Sequence, residues 1–187
     1  MNQNLTEPKD STGTPTVNSV ICADALHLLS KVTSNSIDLI ITSPPYADRR
    51  KKVYDGVQED KYVEWFLPIA AEIKRVLKPT GSFFLNIKPH CDKGERSLYV
   101  FDLILSLKRE TGFLFIDELC WTKNAFPGKL KGRFKNGFEP VYHFTKAPAT
   151  QITFNPIACV RKLRQKLLPE HTENNVGFRK TEVEWLH

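Results

Sequence analysis

The sequence predicts an α/β fold built on a doubly wound, mostly parallel sheet, and three observations predict it. Ile37-Asp38-Leu39-Ile40-Ile41 is apolar almost without interruption, as expected of a central parallel strand covered on both faces. Similar runs recur at Ser82-Phe83-Phe84-Leu85-Asn86-Ile87 and over residues 113–121, with stretches of helical spacing between them, so strands and helices alternate. The first run also stops abruptly in Thr42-Ser43-Pro44-Pro45-Tyr46. Each proline lacks a ladder donor, fixes φ, and pushes the residue before it into an extended conformation. Ser43 and Tyr46 are thereby held on stiff backbone at the carboxyl end of a strand, where open α/β sheets place their ligands.

Residues 1–16 are polar, rich in Pro, Thr, Ser and Asn, and lack periodicity, which predicts a flexible leader. Order is expected from residue 17 to about residue 160. Val20-Ile21-Cys22 reads as a short strand and Ala25-Leu26-His27-Leu28-Leu29 as a short helix. Asp24 stands between them with two roles open. It can cap the helix by accepting from exposed amides, or it can hydrogen-bond a ligand at the sheet edge that also carries Ser43. After Tyr46, Arg49, Arg50, Lys51 and Lys52 with the turn pair Asp55-Gly56 predict a surface loop. A basic run is ordinarily a solvated face, but this one lies beside the strand end and is placed to touch phosphates.

Tyr62, Trp65, Phe66, Ile69, Ile73 and Val76 line one face of the clearest helix, with the aromatics expected in the core. Pro68 is its kink point, and Pro79 with Gly81 is expected to end it before the second strand. That strand–helix–strand unit predicts a parallel pair with a right-handed connection. Leu98, Phe101, Asp102 and Leu105 mark another amphipathic helix, stopped near Gly112, and residues 113–121 predict a third core strand. Residues 122–137 differ in kind: Lys123, Lys129, Lys131, Arg133 and Lys135 are interleaved with Phe126, Pro127, Gly128, Gly132 and Phe134. A long basic loop with aromatics suits phosphate contact and base stacking, and a plain connector between strands is the alternative. Residues 138–144 return to strand-like alternation, and residues 152–160 read as an added edge strand.

At 187 residues and 41% hydrophobic content the chain is expected to form one domain with a real core. No apolar run approaches the ~20 residues of a membrane span, and the N-terminus lacks a secretory pattern, which predicts a cytoplasmic protein without a membrane partner. Cys22, Cys91, Cys120 and Cys159 are widely spaced with no CxxC pair, so buried or incidental thiols are expected and no metal site. A net charge of +6 and a pI near 9.1 suit a polyanionic partner.

Thr-Ser-Pro-Pro-Tyr at a strand end suits an exocyclic amine on a flat base. The Tyr46 ring offers a stacking wall, while the Ser43 hydroxyl and a carbonyl freed from the ladder accept hydrogen bonds from the amino group. In cytosine the N4 lone pair is delocalised into the ring, and two placed acceptors pull the nitrogen toward tetrahedral geometry. It can then attack an electrophilic methyl group, once the base has been flipped out of its duplex. A C5-cytosine mechanism is disfavoured, because no cysteine follows a proline in the setting its nucleophile requires.

Thr42-Ser43-Pro44-Pro45-Tyr46 resembles the catalytic motif of the amino-methylating DNA methyltransferases, and its Ser form looks like the cytosine-N4 branch; Asp or Asn stands there in adenine-N6 enzymes. Asp24 after residues 20–22, Arg75-Val76-Leu77-Lys78-Pro79 before Gly81-Ser82, Trp121-Thr122-Lys123-Asn124, and Gly137-Phe138-Glu139-Pro140 resemble the same family in order. The resemblance covers residues 17–160 and implies a Rossmann-like methyltransferase fold, S-adenosyl-L-methionine as methyl donor and double-stranded DNA as partner. It also implies a restriction-modification setting with a cognate restriction endonuclease. Ser43, Pro44, Pro45 and Tyr46 become the expected catalytic residues, Asp24, Thr42 and Asn155 the expected substrate or cofactor contacts. Arg49, Arg50, Lys51, Lys52, Lys123, Lys129, Lys131, Arg133 and Lys135 become the expected DNA contacts.

One departure stands out. The family's Phe-x-Gly-x-Gly turn, where backbone approaches the cofactor, has no counterpart among nine glycines that include no GxG spacing. The expected fold is therefore incomplete, with residues 161–187 a C-terminal extension or the start of the missing cofactor half. A second polypeptide carrying the glycine-rich half is an implied partner. Adenine-N6 transfer, a DNA-binding remnant without chemistry, and an inert fragment are the competing readings.

Overall fold

The computed structural model describes residues 20–47, 56–92, 94–123, 132 and 137–155. The chain divides into two units, Met1–Thr153 and Phe154–His187. Of the second, Phe154 and Asn155 are described, both exposed and in neither helix nor strand.

In the first unit the described elements are α1 (Ala25–Ser30), β1 (Ile37–Thr42), α2 (Tyr62–Val76), β2 (Leu77–Asn86), a hairpin of β3 (Cys91–Asp92) and β4 (Glu95–Arg96), α3 (Tyr99–Arg109), β5 (Leu114–Thr122) and β6 (Phe138–Thr145). Four strands form one sheet in the order β1-β2-β6-β5. β1 and β2 pair in parallel, as the strand–helix–strand pattern predicts, and β6 is antiparallel to both β2 and β5. Three of the four strands thus share one direction, with the reversed β6 inserted between β2 and β5. β5 and β6 are consecutive in the described sheet, and an antiparallel pair needs no crossover connection.

β1 is held in place from α2. Arg75 donates from Nη1 to the Val32 carbonyl and Ser34 Oγ, both at 2.9 Å, and from Nη2 to the Leu29 carbonyl at 2.8 Å. Its remaining donors grip Glu72. One guanidinium therefore ties the end of α1 and the turn into β1 to the helix that crosses to β2. The register is broken once, where Lys78 to Gly81 stand opposite Asp38 alone. Gly81 is required there, because a Cβ would lie 2.8 Å from the Asp38 carbonyl oxygen. Pro79 and Gly81 therefore shape this irregularity rather than the helix end, which comes earlier at Val76 with the strand starting directly at Leu77.

The core lies on one face of the sheet. Phe83, Leu85 and Ile87 alternate inward from β2 and meet Tyr62, Phe66, Ala70 and Ile73 of α2 and Tyr99, Val100, Leu103 and Leu107 of α3 in one cluster. Ala47, Leu77, Phe113, Tyr142 and Phe144 complete it. The stripe on α2 is the predicted one, with Trp65 and Ile69 packed at its border.

Several expectations fail for physical reasons. Residues 20–22 form no strand, and Val20 is fully exposed; three residues make few ladder bonds and no described strand pairs with them. α3 forms, but Leu98, Phe101 and Leu105 face outward and Tyr99, Val100, Leu103 and Leu107 are buried. The helix carries two apolar stripes, and only packing chooses between them. β5 is an edge strand and mostly exposed instead of a core strand. Leu39 and Ile41 of β1 are 52% and 67% exposed, because among the described residues helices cover one face of the sheet only. Residues 152–155 are not strand, although the Thr153 N–H reaches the Thr80 carbonyl at 3.0 Å; residues 156–160 lie outside the described residues. Of the two readings of the thiols, burial does not apply to Cys22 and Cys120, which are free and exposed, and Cys91 is free and half-buried. The leader 1–16, the residues after 160 and Cys159 also lie outside the described residues.

His143 links the fold to pH. It is buried on β6, stacked on Phe84 at 4.4 Å, with Nε2 2.9 Å from Ser82 Oγ. Burial lowers its pKa, and the nearby Asp117 carboxylate opposes that. Above about pH 6.5 the imidazole is neutral in both folded and unfolded chains. As pH falls below that value the unfolded chain takes the proton first, so stability declines until the folded pKa is also passed. Urea midpoints measured at pH 7.5 and 5.5 are expected to differ by more in the wild type than in His143→Gln; equal differences would remove His143 as the source.

Candidate active site at the carboxyl end of β1

β1 ends at Thr42, opposite Leu85, and residues 43–46 follow directly beyond that end of the strand. Pro44 is buried and Ser43 and Pro45 are exposed, so the prolines fix the backbone while leaving the Ser43 side chain accessible. Tyr46 is half-buried and Ala47 fully buried, which returns the chain to the core. Two buried phenols meet this segment from below. Tyr62 donates its hydroxyl to the Pro45 carbonyl at 2.6 Å, and the Ala47 N–H donates to the Tyr99 hydroxyl at 3.4 Å.

The register sets a row of polar groups beside the segment. Ser43 follows the last pair of the register, Thr42–Leu85, on the β1 side, and Asn86 follows it on β2. Asn86 Nδ2 donates to the Pro140 carbonyl at 3.0 Å. Further along β6, Glu139 stands opposite Trp121 and accepts from Lys123 Nζ at 2.5 Å. That ammonium also lies 4.8 Å from the centre of the Trp121 ring, which is 56% exposed. Lys88 donates to the Phe138 carbonyl at 2.6 Å. Burial holds its ammonium pKa below the ordinary lysine value, opposed by the Glu139 carboxylate.

Tyr46 feels this row. Burial pushes its phenol pKa up, the Ser43 side chain hydrogen-bonded to it pulls it down, Glu139 raises it and Lys123 lowers it. In a titration of Tyr46 followed by NMR on a 13Cζ label, Glu139→Gln is expected to lower the phenol pKa and Lys123→Met to raise it. Unchanged titration in both variants would separate the charged pair from Tyr46.

Of the residues the sequence singles out, the structure holds Thr42, Ser43, Pro44, Pro45 and Tyr46 in one segment at the end of β1, and Lys123 stands just past β5, paired with Glu139. Asp24 is the N-cap of α1, its Oδ1 accepting from the His27 N–H at 2.9 Å, so the capping role of the two left open is the one seen. Asn155 belongs to the second unit. Arg49, Arg50, Lys51, Lys52, Lys129, Lys131, Arg133 and Lys135 lie outside the described residues. Sequence reasoning missed Glu139, Lys88, Tyr62 and Tyr99 as neighbours of the site. A signal existed for the tyrosines, since a phenol on an otherwise apolar helix face must find a hydrogen-bond partner when buried.

The arrangement accounts for the acceptor side of an amine methylation. On the methyl-donor side, Asp24 Oδ1 accepts from the helix, and the glycines include no GxG spacing for close backbone approach. No group of three or more His, Cys, Asp or Glu among the described residues is arranged to hold a metal ion. No helix among them is long and apolar enough to cross a membrane.

Residues 37–183 match the N6_N4_Mtase family, described as DNA methylase. The type II methyltransferase M.PvuII of Proteus hauseri is 35% identical over 146 residues, 72% of this chain and 44% of that protein. The solved structure of the PvuII DNA methyltransferase, cytosine-N4-specific, superposes with a TM-score of 0.56 at 34% identity over 66% of this chain and 47% of that one. The DNA adenine methyltransferase YhdJ of Escherichia coli K12 is 26% identical over 163 residues, 83% of this chain and 51% of that protein. Thermus thermophilus TTHA0409, solved in complex with S-adenosyl-L-methionine, shares the fold with a TM-score of 0.52 at 19% identity, over 71% of this chain and 54% of that one. The chain spans about half the length of these relatives. A family match running from the first residue of β1 through residue 183, on a sheet that carries Ser-Pro-Pro-Tyr at its carboxyl edge, places this chain in the N6/N4 DNA methylase family.

Proposed function

We propose that this chain carries the amine-binding half of a site-specific DNA methyltransferase, which methylates the exocyclic N4 of a flipped cytosine in duplex DNA with S-adenosyl-L-methionine as donor. The observation that carries the reading is the Ser43-Pro44-Pro45-Tyr46 segment at the end of β1, with Ser43 exposed, Tyr46 half-buried and the Pro45 carbonyl held by Tyr62. The Ser43 hydroxyl and the Pro44 carbonyl accept hydrogen bonds from the amino group, which draws its lone pair out of conjugation with the ring. Tyr46 stacks on the base and holds the nitrogen in line for attack. With that donor bound, the nitrogen lone pair would form the bond to the methyl carbon as the carbon–sulfur bond of the sulfonium breaks, its electron pair staying on the departing sulfur, and the nitrogen would then shed a proton to solvent.

Arg49 to Lys52 and the basic residues of 122–137 are the proposed phosphate contacts, with Thr42 supporting the motif from the strand. Cofactor binding is assigned to the family's glycine-rich segment, which has no counterpart among these 187 residues and which the test supplies separately. A cognate restriction endonuclease and action in the cytoplasm complete the proposal. Ser43 and the similarity to M.PvuII favour cytosine N4; the similarity to YhdJ keeps adenine N6 as the second reading. The test supplies the chain with the cofactor half, labelled S-adenosylmethionine and duplex DNA, and analyses the nucleosides by mass. N4-methylcytosine is the expected product. N6-methyladenine would reverse the base assignment, and no transfer would leave a DNA-binding remnant.

A further inference from the structure

We infer that Tyr62 and Tyr99 form a latch that positions the amine-accepting motif: Tyr62 holds the Pro45 carbonyl, and Tyr99 bridges Ala47 to the exit of β2. The inference rests on the acceptor-site reading above and names positioning residues for it.

Pro44 and Pro45 deprive the motif of two backbone donors, so its carbonyls and the Ala47 N–H become the points by which the protein can hold it. Both kinds of point are used. The Tyr62 hydroxyl donates to the Pro45 carbonyl at 2.6 Å. The Tyr99 hydroxyl accepts from the Ala47 N–H at 3.4 Å and lies 3.5 Å from the Lys88 carbonyl, to which it donates. With the Pro45 carbonyl committed to Tyr62, the Pro44 carbonyl takes the role of backbone acceptor for the amine.

The latch is itself stiff. Tyr62 opens α2 and Tyr99 opens α3, and neither ring has more than 3% of its surface exposed. The rings meet edge to face at 4.8 Å, and Trp65 packs edge-on against Tyr62 at 5.3 Å. Tyr99 is backed by His90, whose ring centre lies 6.3 Å away and whose Nε2 is 3.6 Å from a Glu59 oxygen. The other Glu59 oxygen accepts from the Ser97 hydroxyl, and the Ser97 N–H donates to the His90 carbonyl at 3.1 Å. Two helix starts and the segment around β3 and β4 therefore converge on one stretch of backbone. A structural tyrosine needs only some acceptor; these two find theirs on the motif and on the adjoining strand exit.

The test uses Tyr62→Phe and Tyr99→Phe in the full chain, with amide hydrogen exchange and titration by 2′-deoxycytidine, both read by NMR. Exchange at Tyr46 and Ala47 is expected to rise about tenfold or more in Tyr62→Phe, with Phe83 to Leu85 unchanged. Exchange that rises uniformly along the chain, or nowhere, overturns the latch. Tyr99→Phe gives a second local reading should the first variant fold poorly. In protein supplied with the cofactor half, Tyr62→Phe is expected to lower kcat about 10–100-fold with KM for DNA within about twofold. An unchanged kcat beside faster local exchange likewise overturns the positioning role. If wild type shows no deoxycytidine-dependent shift at Ser43 or Tyr46 and no turnover, the acceptor-site reading fails and the positioning role falls with it. Faster local exchange would then leave only a structural tether.

Discussion

Replacing Ser43 with alanine is expected to lower methyl transfer by the complemented protein roughly 10²–10³-fold, the loss typical of deleting one pre-placed hydrogen-bonding group from a reacting centre. The expectation rests on where the hydroxyl sits. Ser43 is exposed at the tip of the sheet between a buried proline and the end of β1, so its backbone is fixed by neighbours that the substitution leaves intact. Its side chain adds nothing to the core, and the urea midpoint should stay within error of wild type. A large loss of rate without loss of stability separates a chemical role from a structural one. Tyr46→Ala is the companion variant and is expected to weaken base binding, since stacking on an aromatic contributes about 1–3 kcal/mol per base. Equal initial rates for wild type and Ser43→Ala, at saturating DNA, would remove the amine-acceptor role from this motif.

The parts of this fold that were legible are those fixed by near neighbours in sequence. The Ile37 to Ile41 run and the two prolines after it define a strand and its end without reference to anything else. α2 presents a single apolar stripe, so its buried face follows from spacing. α3 presents two, and the choice of Val100, Leu103 and Leu107 over Leu98, Phe101 and Leu105 depends on which face β2 and β6 offer. The insertion of β6 between β2 and β5 is a pairing over long separations, which no local pattern records. The candidate site divides the same way. Ser43 to Tyr46 were readable as a contiguous motif, whereas Glu139 meets Lys123 from sixteen residues away and Tyr62 meets Pro45 from seventeen. Asp24 was readable as a cap because capping is local chemistry, and a cap is what it forms.

The largest effect on stability is expected at Phe83. It is fully buried at the middle of β2, opposite Phe144 in the register and beside Ile40 of β1. Its ring lies 5.6 Å from Phe113 and 5.9 Å from Phe144, which are themselves 6.0 Å apart, so three aromatic rings fill one space below the sheet. Phe83→Ala removes one of the three and leaves rings anchored on two other segments, which limits collapse into the gap. The expected cost is about 3–5 kcal/mol. Against a typical domain stability of roughly 5–15 kcal/mol, that is enough to leave much of the chain unfolded at physiological temperature. Phe84→Ala on the opposite face is the control: the side chain is half-buried and stacks on His143, and its loss is expected to cost less. Urea unfolding followed by far-UV circular dichroism measures both. A Phe83→Ala midpoint within 1 kcal/mol of wild type, or one no lower than that of Phe84→Ala, would mean that the core does not centre on this triad. Since β2 also carries Asn86 and leads to Lys88 beside the motif, the same variant is expected to loosen the site through its supporting strand.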